Sequence, residues 1–91
     1  LAKERELENN IKFQILYYPA TGGSHDSESY KLFGDDHYLT KDLTTLFTTS
    51  YIRTEEDLKN KYVFPLSASL EELSGLPPAL VVIGEADVLR D

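Results

Sequence analysis

The strongest pattern in the chain is Ala79-Leu80-Val81-Val82-Ile83, five apolar residues with no polar interruption. A β-branched run of this length suits a strand buried on both faces, as in a parallel sheet. Pro77 and Pro78 precede the run and Gly84 closes it, so the spacing predicts a strand over 79–84. A second β-rich run, Lys12 to Tyr18, carries Phe13, Ile15, Leu16, Tyr17 and Tyr18 and is stopped by Pro19. It predicts a strand over 12–18. Ahead of it, Lys3, Glu4, Arg5 and Glu6 are strong helix formers and Asn9-Asn10 is a C-terminal cap or turn, which predicts the end of a helix.

Between the strands the pattern is polar, then helical. Thr21 to Ser29 is a loop by composition. Tyr30, Leu32 and Phe33 predict a short turn of helix running into Gly34-Asp35-Asp36. Thr40 is an N-cap with Leu39 as a hydrophobic staple, and Leu43, Leu46, Phe47, Ser50 and Tyr51 follow at helical spacing. The threonines weaken this helix intrinsically, so packing has to hold it. Thr54-Glu55-Glu56-Asp57 predicts a further helical turn. Tyr62 to Ser67 reads as extended, with Pro65 biasing Phe64 away from helix. Ser69 to Leu73 is a short turn-like element that Gly75 ends.

The order is therefore helix end, strand, mostly helical excursion, strand, which is a βαβ unit. The fold class is α/β with two parallel strands. About sixty residues separate the strands, against a minimal crossover of about a dozen. The excess has to form a substructure over one end of the sheet. Residues 1–20 hold the helix end and first strand, 21–60 the excursion, and 61–91 the return segment, second strand and acidic loop. Two strands alone leave both sheet edges open, so partner strands are expected from other segments or chains.

Composition narrows this picture. Ninety-one residues make one domain at most, or part of one. Six tyrosines and four phenylalanines argue for a core. The net charge of −7 disfavours nucleic acid and anionic membranes. With no cysteine, disulfides and thiolate metal sites are excluded. No apolar run approaches the ~18 residues of a membrane span. No basic-then-apolar signal peptide opens the chain. The compartment stays open, with the cytoplasm favoured. The opening Leu1, without Met, suggests a start part-way through a longer protein.

Three clusters have chemical potential. Ser24-His25-Asp26 has triad residue types, but three consecutive residues cannot line up their side chains as a relay, and the nucleophile-elbow frame lacks its closing glycine. A loop is the expectation there, with His25 still able to reach a pocket. Asp35-Asp36-His37 has metal-ligand types without further convergent ligands, so a solvated loop is expected. Glu85, Asp87 and Asp91 follow the second strand, where open α/β sheets place their ligand sites. Spacing alone favours Asp87 as a helix N-cap over a catalytic acid.

The last third changes that balance. Leu73-Ser74-Gly75-Leu76-Pro77-Pro78-Ala79-Leu80-Val81-Val82 and Gly84-Glu85-Ala86-Asp87-Val88-Leu89-Arg90-Asp91 resemble the late strand and acid loop of the hormone-sensitive-lipase-like α/β-hydrolases. Gln14 to Pro19 resembles the strand after the nucleophile strand, Tyr38-Leu39-Thr40 the start of a cap-region helix, and Tyr62 to Leu66 the segment before the acid strand. The resemblance implies that Asp87 is the acid of a Ser-His-Asp triad. It implies that Glu85 and Arg90 support the acid loop and that Asp91 caps a following helix. It also implies that Phe33, Phe47 and Tyr51 shape an apolar pocket for a small ester.

Val88 stands where the family often has proline, and Phe64 where it often has serine. The resemblance places the nucleophile before Leu1 and the histidine after Asp91, since the triad order is serine, acid, histidine. His25 and His37 both precede Asp87 and match neither. The expected function is a segment of a carboxylic-ester hydrolase, inactive alone, with no metal or organic cofactor. The alternative is a segment of a non-catalytic hydrolase-fold binding protein or receptor.

Overall fold

The computed structural model describes residue 1, residues 3–7 and residues 10–91. Its sheet has two parallel strands, β1 (Gln14–Tyr17) and β2 (Ala79–Val82). Gln14 stands opposite Ala79 and Tyr17 opposite Val82. Gln14 N–H donates to the Pro78 carbonyl at 3.0 Å, and Tyr18 N–H to the Val82 carbonyl at 2.9 Å. Both strands are shorter than the expected 12–18 and 79–84. Prolines bound them, because Pro77 and Pro78 on one side and Pro19 on the other have no N–H for the ladder.

The excursion contains α1 (Glu28–Phe33), α2 (Lys41–Tyr51) and a 3-10 turn at Glu55–Lys59, and the return segment a 3-10 turn at Pro65–Ser67 and α3 (Leu70–Leu73). Hydroxyl caps set the helix starts. Thr40 Oγ1 accepts from Leu43 N–H at 3.2 Å. Ser69 Oγ accepts from Glu72 N–H at 3.2 Å, while Glu72 Oε2 accepts from Ser69 N–H at 2.9 Å, a reciprocal capping box. Gly75, at φ +75°, takes the left-handed turn that leaves α3. Within α2 the Thr44 and Thr45 hydroxyls each donate to the Lys41 carbonyl at 2.9 Å. These bonds turn polar side chains back onto the helix and leave the rest of its stability to packing.

Among the described residues the buried side chains come from the excursion, the return segment and the loop after β2, not from the sheet. They are Tyr30 and Ser29 of α1, Thr44 of α2, Phe64 of the return segment and Val88. Val88 is 2% exposed and Phe64 5%. The two positions that depart from the family pattern are therefore core positions, filled by apolar side chains.

The sheet is open by comparison. Leu80 and Val81 are exposed, as are Ile15 and Tyr17. The expected burial of β2 on both faces is not met by the described residues, which leave Ala79, Leu80 and Val81 exposed and Val82 half-buried. The α2 stripe is also open, with Leu43, Leu46, Phe47 and Tyr51 exposed and Thr44 turned inward. The radius of gyration is 14.5 Å. A compact domain of this length would have about 12 Å.

Two further expectations are corrected. Residues 3–6 form turns instead of a helix end, with Glu6 at φ +56°. So short a stretch cannot offset its nucleation cost without an apolar face to pack. Of its expected cap, Asn9 lies outside the described residues. Residues 61–63 are a turn and Pro65–Ser67 a 3-10 turn, so only Phe64, at φ −124°, keeps the extended backbone expected of the whole segment. Lys61 ties these regions together, reaching Glu4 Oε1 at 3.0 Å and Glu72 Oε1 at 2.6 Å. The Lys61 hydrogen bond, then the Ser69 N–H, hold the Glu72 carboxyl down at about 2. Its contribution to stability is present above the ordinary value of 4.5 and lost as pH falls through about 2.

The open sheet generates a prediction for the 91-residue chain on its own. It is expected to bind a hydrophobic dye such as ANS and to self-associate on size-exclusion chromatography. A dye-silent, monomeric peak would contradict it.

Candidate active site

Parallel strands put their carboxyl ends side by side, so the segments leaving β1 and β2 meet at one end of the sheet. Tyr18 leaves β1 at φ +47°, a costly conformation for a bulky residue. Its N–H stays in the ladder, which fixes where the chain departs. A Cβ built on Gly84 would stand 3.5 Å from Asp87 Cβ and 3.9 Å from Tyr18 Cε1. Asp87 thus sits over Gly84, near the ring of Tyr18.

Asp87 is half-buried on a tight turn. Its Oδ1 accepts from Leu89 N–H at 2.8 Å, and its backbone carbonyl accepts from Arg90 N–H at 3.1 Å. This is the self-capping geometry that makes aspartate a turn residue. Among the described residues Oδ2 makes no hydrogen bond. The buried Val88 side chain anchors the turn from below.

Arg90 closes the loop. Its Nη1 donates to the Glu85 backbone carbonyl at 3.4 Å and its Nε to Asp91 Oδ1 at 2.9 Å. Glu85 takes part through its carbonyl, and its side chain is exposed. The Arg90 guanidinium also lies 5.4 Å from the centre of the Phe33 ring. Asp91 also faces back toward α1, where its Oδ2 accepts from Ser29 N–H at 2.7 Å. The Arg90 hydrogen bond, then that from Ser29 N–H, hold its carboxyl below the usual range.

The three aromatic pocket candidates separate into two places. Phe47 and Tyr51 line a cavity of about 320 Å³ with Ala20, Thr48, Val63 and Phe64. Phe33 lies elsewhere, half-buried between Arg90 and the edge-on ring of His37, 4.9 Å away. In the polar loop, Ser24 Oγ donates to Asp26 Oδ2 at 3.2 Å. His25 turns away, stacked 4.8 Å from the Tyr30 ring with Nδ1 3.2 Å from Thr45 Oγ1. These three side chains form no relay. No group of three or more metal-ligating side chains converges among the described residues. No helix among them is long and apolar enough to cross a membrane.

Sequence reasoning missed Tyr18 and Ser29. Ser27-Glu28-Ser29 does carry a helix-start signal, and Ser27 caps α1. The partners of Ser29 in the acid loop, Val88 and Asp91, lie about sixty positions away, beyond any local pattern.

Comparison with known proteins agrees with the α/β fold of this chain. A family model for the alpha/beta hydrolase fold matches residues 1–91. The carboxylic ester hydrolase LipN of Mycobacterium tuberculosis is 40% identical over 79 residues, covering 86% of this chain and 20% of LipN. An arylesterase of Saccharolobus solfataricus is 35% identical over 92 residues, covering 100% of this chain and 29% of that protein. Among solved structures, an esterase of the fungus Rhizomucor miehei superposes with a TM-score of 0.90 at 43% identity, over 98% of this chain and 29% of that one. The chain thus spans less than a third of each of these relatives.

His25 offers a pH test of the site. Burial, then the nearby Lys41 ammonium, depress its pKa below the ordinary 6.5, while Asp26 opposes them weakly. A base with a depressed folded pKa stabilises the fold fully above the unfolded value and loses that contribution as pH falls through the folded one. Proton NMR titration of the protein carrying this segment is expected to show a His25 midpoint below 6.5. A midpoint at or above that value would contradict the packing of His25 on Tyr30.

Proposed function

This chain belongs to the α/β-hydrolase fold family, and we propose that it is the acid-bearing segment of a serine-dependent carboxylic-ester hydrolase. The observation that carries the proposal is the placing of Asp87. It stands past the carboxyl end of β2, with Oδ1 held by Leu89 N–H and Oδ2 without a hydrogen bond among the described residues. Relatives named as ester hydrolases support the same reading.

In the proposed mechanism Asp87 accepts the Nδ1–H of a histidine. It thereby fixes the tautomer and stabilises the imidazolium. That histidine takes the proton of a serine hydroxyl as its oxygen attacks the ester carbonyl. The proton then goes to the leaving alcohol, and water releases the acyl group. Serine and histidine belong to parts of the protein outside this segment, in the order serine, acid, histidine. Those parts also supply the strands and helices that complete the sheet. Arg90 and the Glu85 carbonyl support the acid loop, and Phe47 with Tyr51 forms an apolar wall for the small ester, while Phe33 acts from the Arg90 side. The reaction uses no metal or organic cofactor, and the segment alone is inactive.

The test is hydrolysis of p-nitrophenyl esters by the full-length protein. Asp87→Asn is expected to lower kcat by about 10³–10⁴-fold, the scale seen when a triad acid loses its charge. Full activity in that variant would refute the assignment. Ester binding without turnover by the unaltered protein would instead favour a non-catalytic binding role. Phe47→Ala with Tyr51→Ala is expected to raise KM for longer acyl or alcohol groups by about ten-fold, with a smaller change for acetate esters. An equal change for both would remove these residues from the pocket.

A further inference from the structure

The acid loop is fastened to α1 by a fully buried serine. Ser29 is 0% exposed. Its Oγ donates to the Val88 carbonyl at 2.8 Å, and its backbone N–H donates to Asp91 Oδ2 at 2.7 Å. Ser27 Oγ, 2.9 Å away, completes the contacts of the hydroxyl. One residue of the excursion therefore grips the loop immediately after Asp87 and again four residues after it.

The far end of α1 adds a third attachment, through the Phe33 ring and the Arg90 guanidinium. Arg90 N–H in turn holds the Asp87 carbonyl at 3.1 Å. With Val88 gripped through its carbonyl and buried through its side chain, the Asp87 backbone has little freedom to rotate. Removing the Ser29 hydroxyl leaves the Val88 carbonyl short of its donor in a water-poor site, where an unmatched polar group is costly.

We propose that Ser29 is a positioning residue for the reaction, setting the aim of Asp87 through Val88 and Asp91 and so coupling α1 to the triad. The proposal rests on Asp87 being the triad acid. A misplacement of about 1 Å in a reacting group is enough to cost up to about 10²-fold in rate. Substrate contacts made by the excursion would reach Asp87 along the same path.

The experiment uses the full-length hydrolase and p-nitrophenyl butyrate, with Ser29→Ala, Asp91→Ala and Asp87→Ala measured together. Ser29→Ala is expected to lower kcat by about ten-fold while KM stays within about two-fold, since the ester does not touch Ser29. The acidic limb of its kcat/KM–pH profile is expected to move to lower pH, because a poorly aimed carboxylate raises the histidine pKa less. Asp91→Ala, at an exposed position, is expected to give the same signature and carries the test should Ser29→Ala not fold. A folded variant with a lower Tm but unchanged kcat and an unchanged acidic limb overturns the proposal, as does failure of both variants to fold, which would mark a purely structural clamp. Asp87→Ala separates the two readings. If it retains activity, both fall; if it is inactive while the Ser29 and Asp91 variants behave as the unaltered enzyme, only the positioning role falls.

Discussion

The parallel pairing of β1 with β2 is the constraint on which the remaining geometry depends. Two backbone bonds mark its ends, Gln14 N–H to Pro78 and Tyr18 N–H to Val82. They are made across a crossover of about sixty residues, so the entropy of closing that long loop has to be met by contacts elsewhere. In return the pairing aligns two carboxyl ends. The strained exit at Tyr18 and the acidic turn at Asp87 then meet over Gly84, where no side chain intervenes.

The packing that supports this alignment does not lie on the sheet. It lies in a small cluster built from Tyr30, Phe64 and Val88, with Ser29 and Thr44 as its polar members. Val88 belongs both to this cluster and to the acid loop. The same burial that steadies the excursion therefore steadies the turn carrying Asp87. The two polar members are hydrogen-bonded, Ser29 to Val88 and Thr44 to Lys41, as buried polar groups generally are. Outside it the ties are weaker in kind. The exposed Glu4–Lys61–Glu72 bridge contributes little for its short distances, because water screens it.

The exposed apolar surface follows from the same division. Ile15, Tyr17, Leu80 and Val81 carry the composition of buried strands, yet they face open space in this segment. Parallel sheets are stable when helices cover both faces and further strands flank them. Relatives more than three times as long have room for that cover. The strands of this chain thus carry the composition of a covered parallel sheet while lying open among the described residues.

Much of this was legible from residue order. Prolines and glycines punctuate the chain at Pro19, Gly75, Pro77-Pro78 and Gly84, and the hydroxyl cap at Thr40 starts α2 where expected, while the element expected only as a turn after Ser69 is the short helix α3. These signals are local: each acts through one residue's own backbone or its near neighbours. The apolar run after Pro78 and the acidic turn behind it also identified the family. What the sequence could not decide were matters of distant proximity. Phe33 was grouped with Phe47 and Tyr51 by the resemblance, and three-dimensional packing sets it beside Arg90, apart from the cavity those two line. The bond from Ser29 N–H to Asp91 joins residues 62 positions apart, with no local signal for it. The burial of Ser29 itself left no mark in its neighbourhood. Periodicity and capping are set within a few residues, whereas the aim of a carboxylate is set by whichever remote donor the closed fold brings within 3 Å of the loop that carries it.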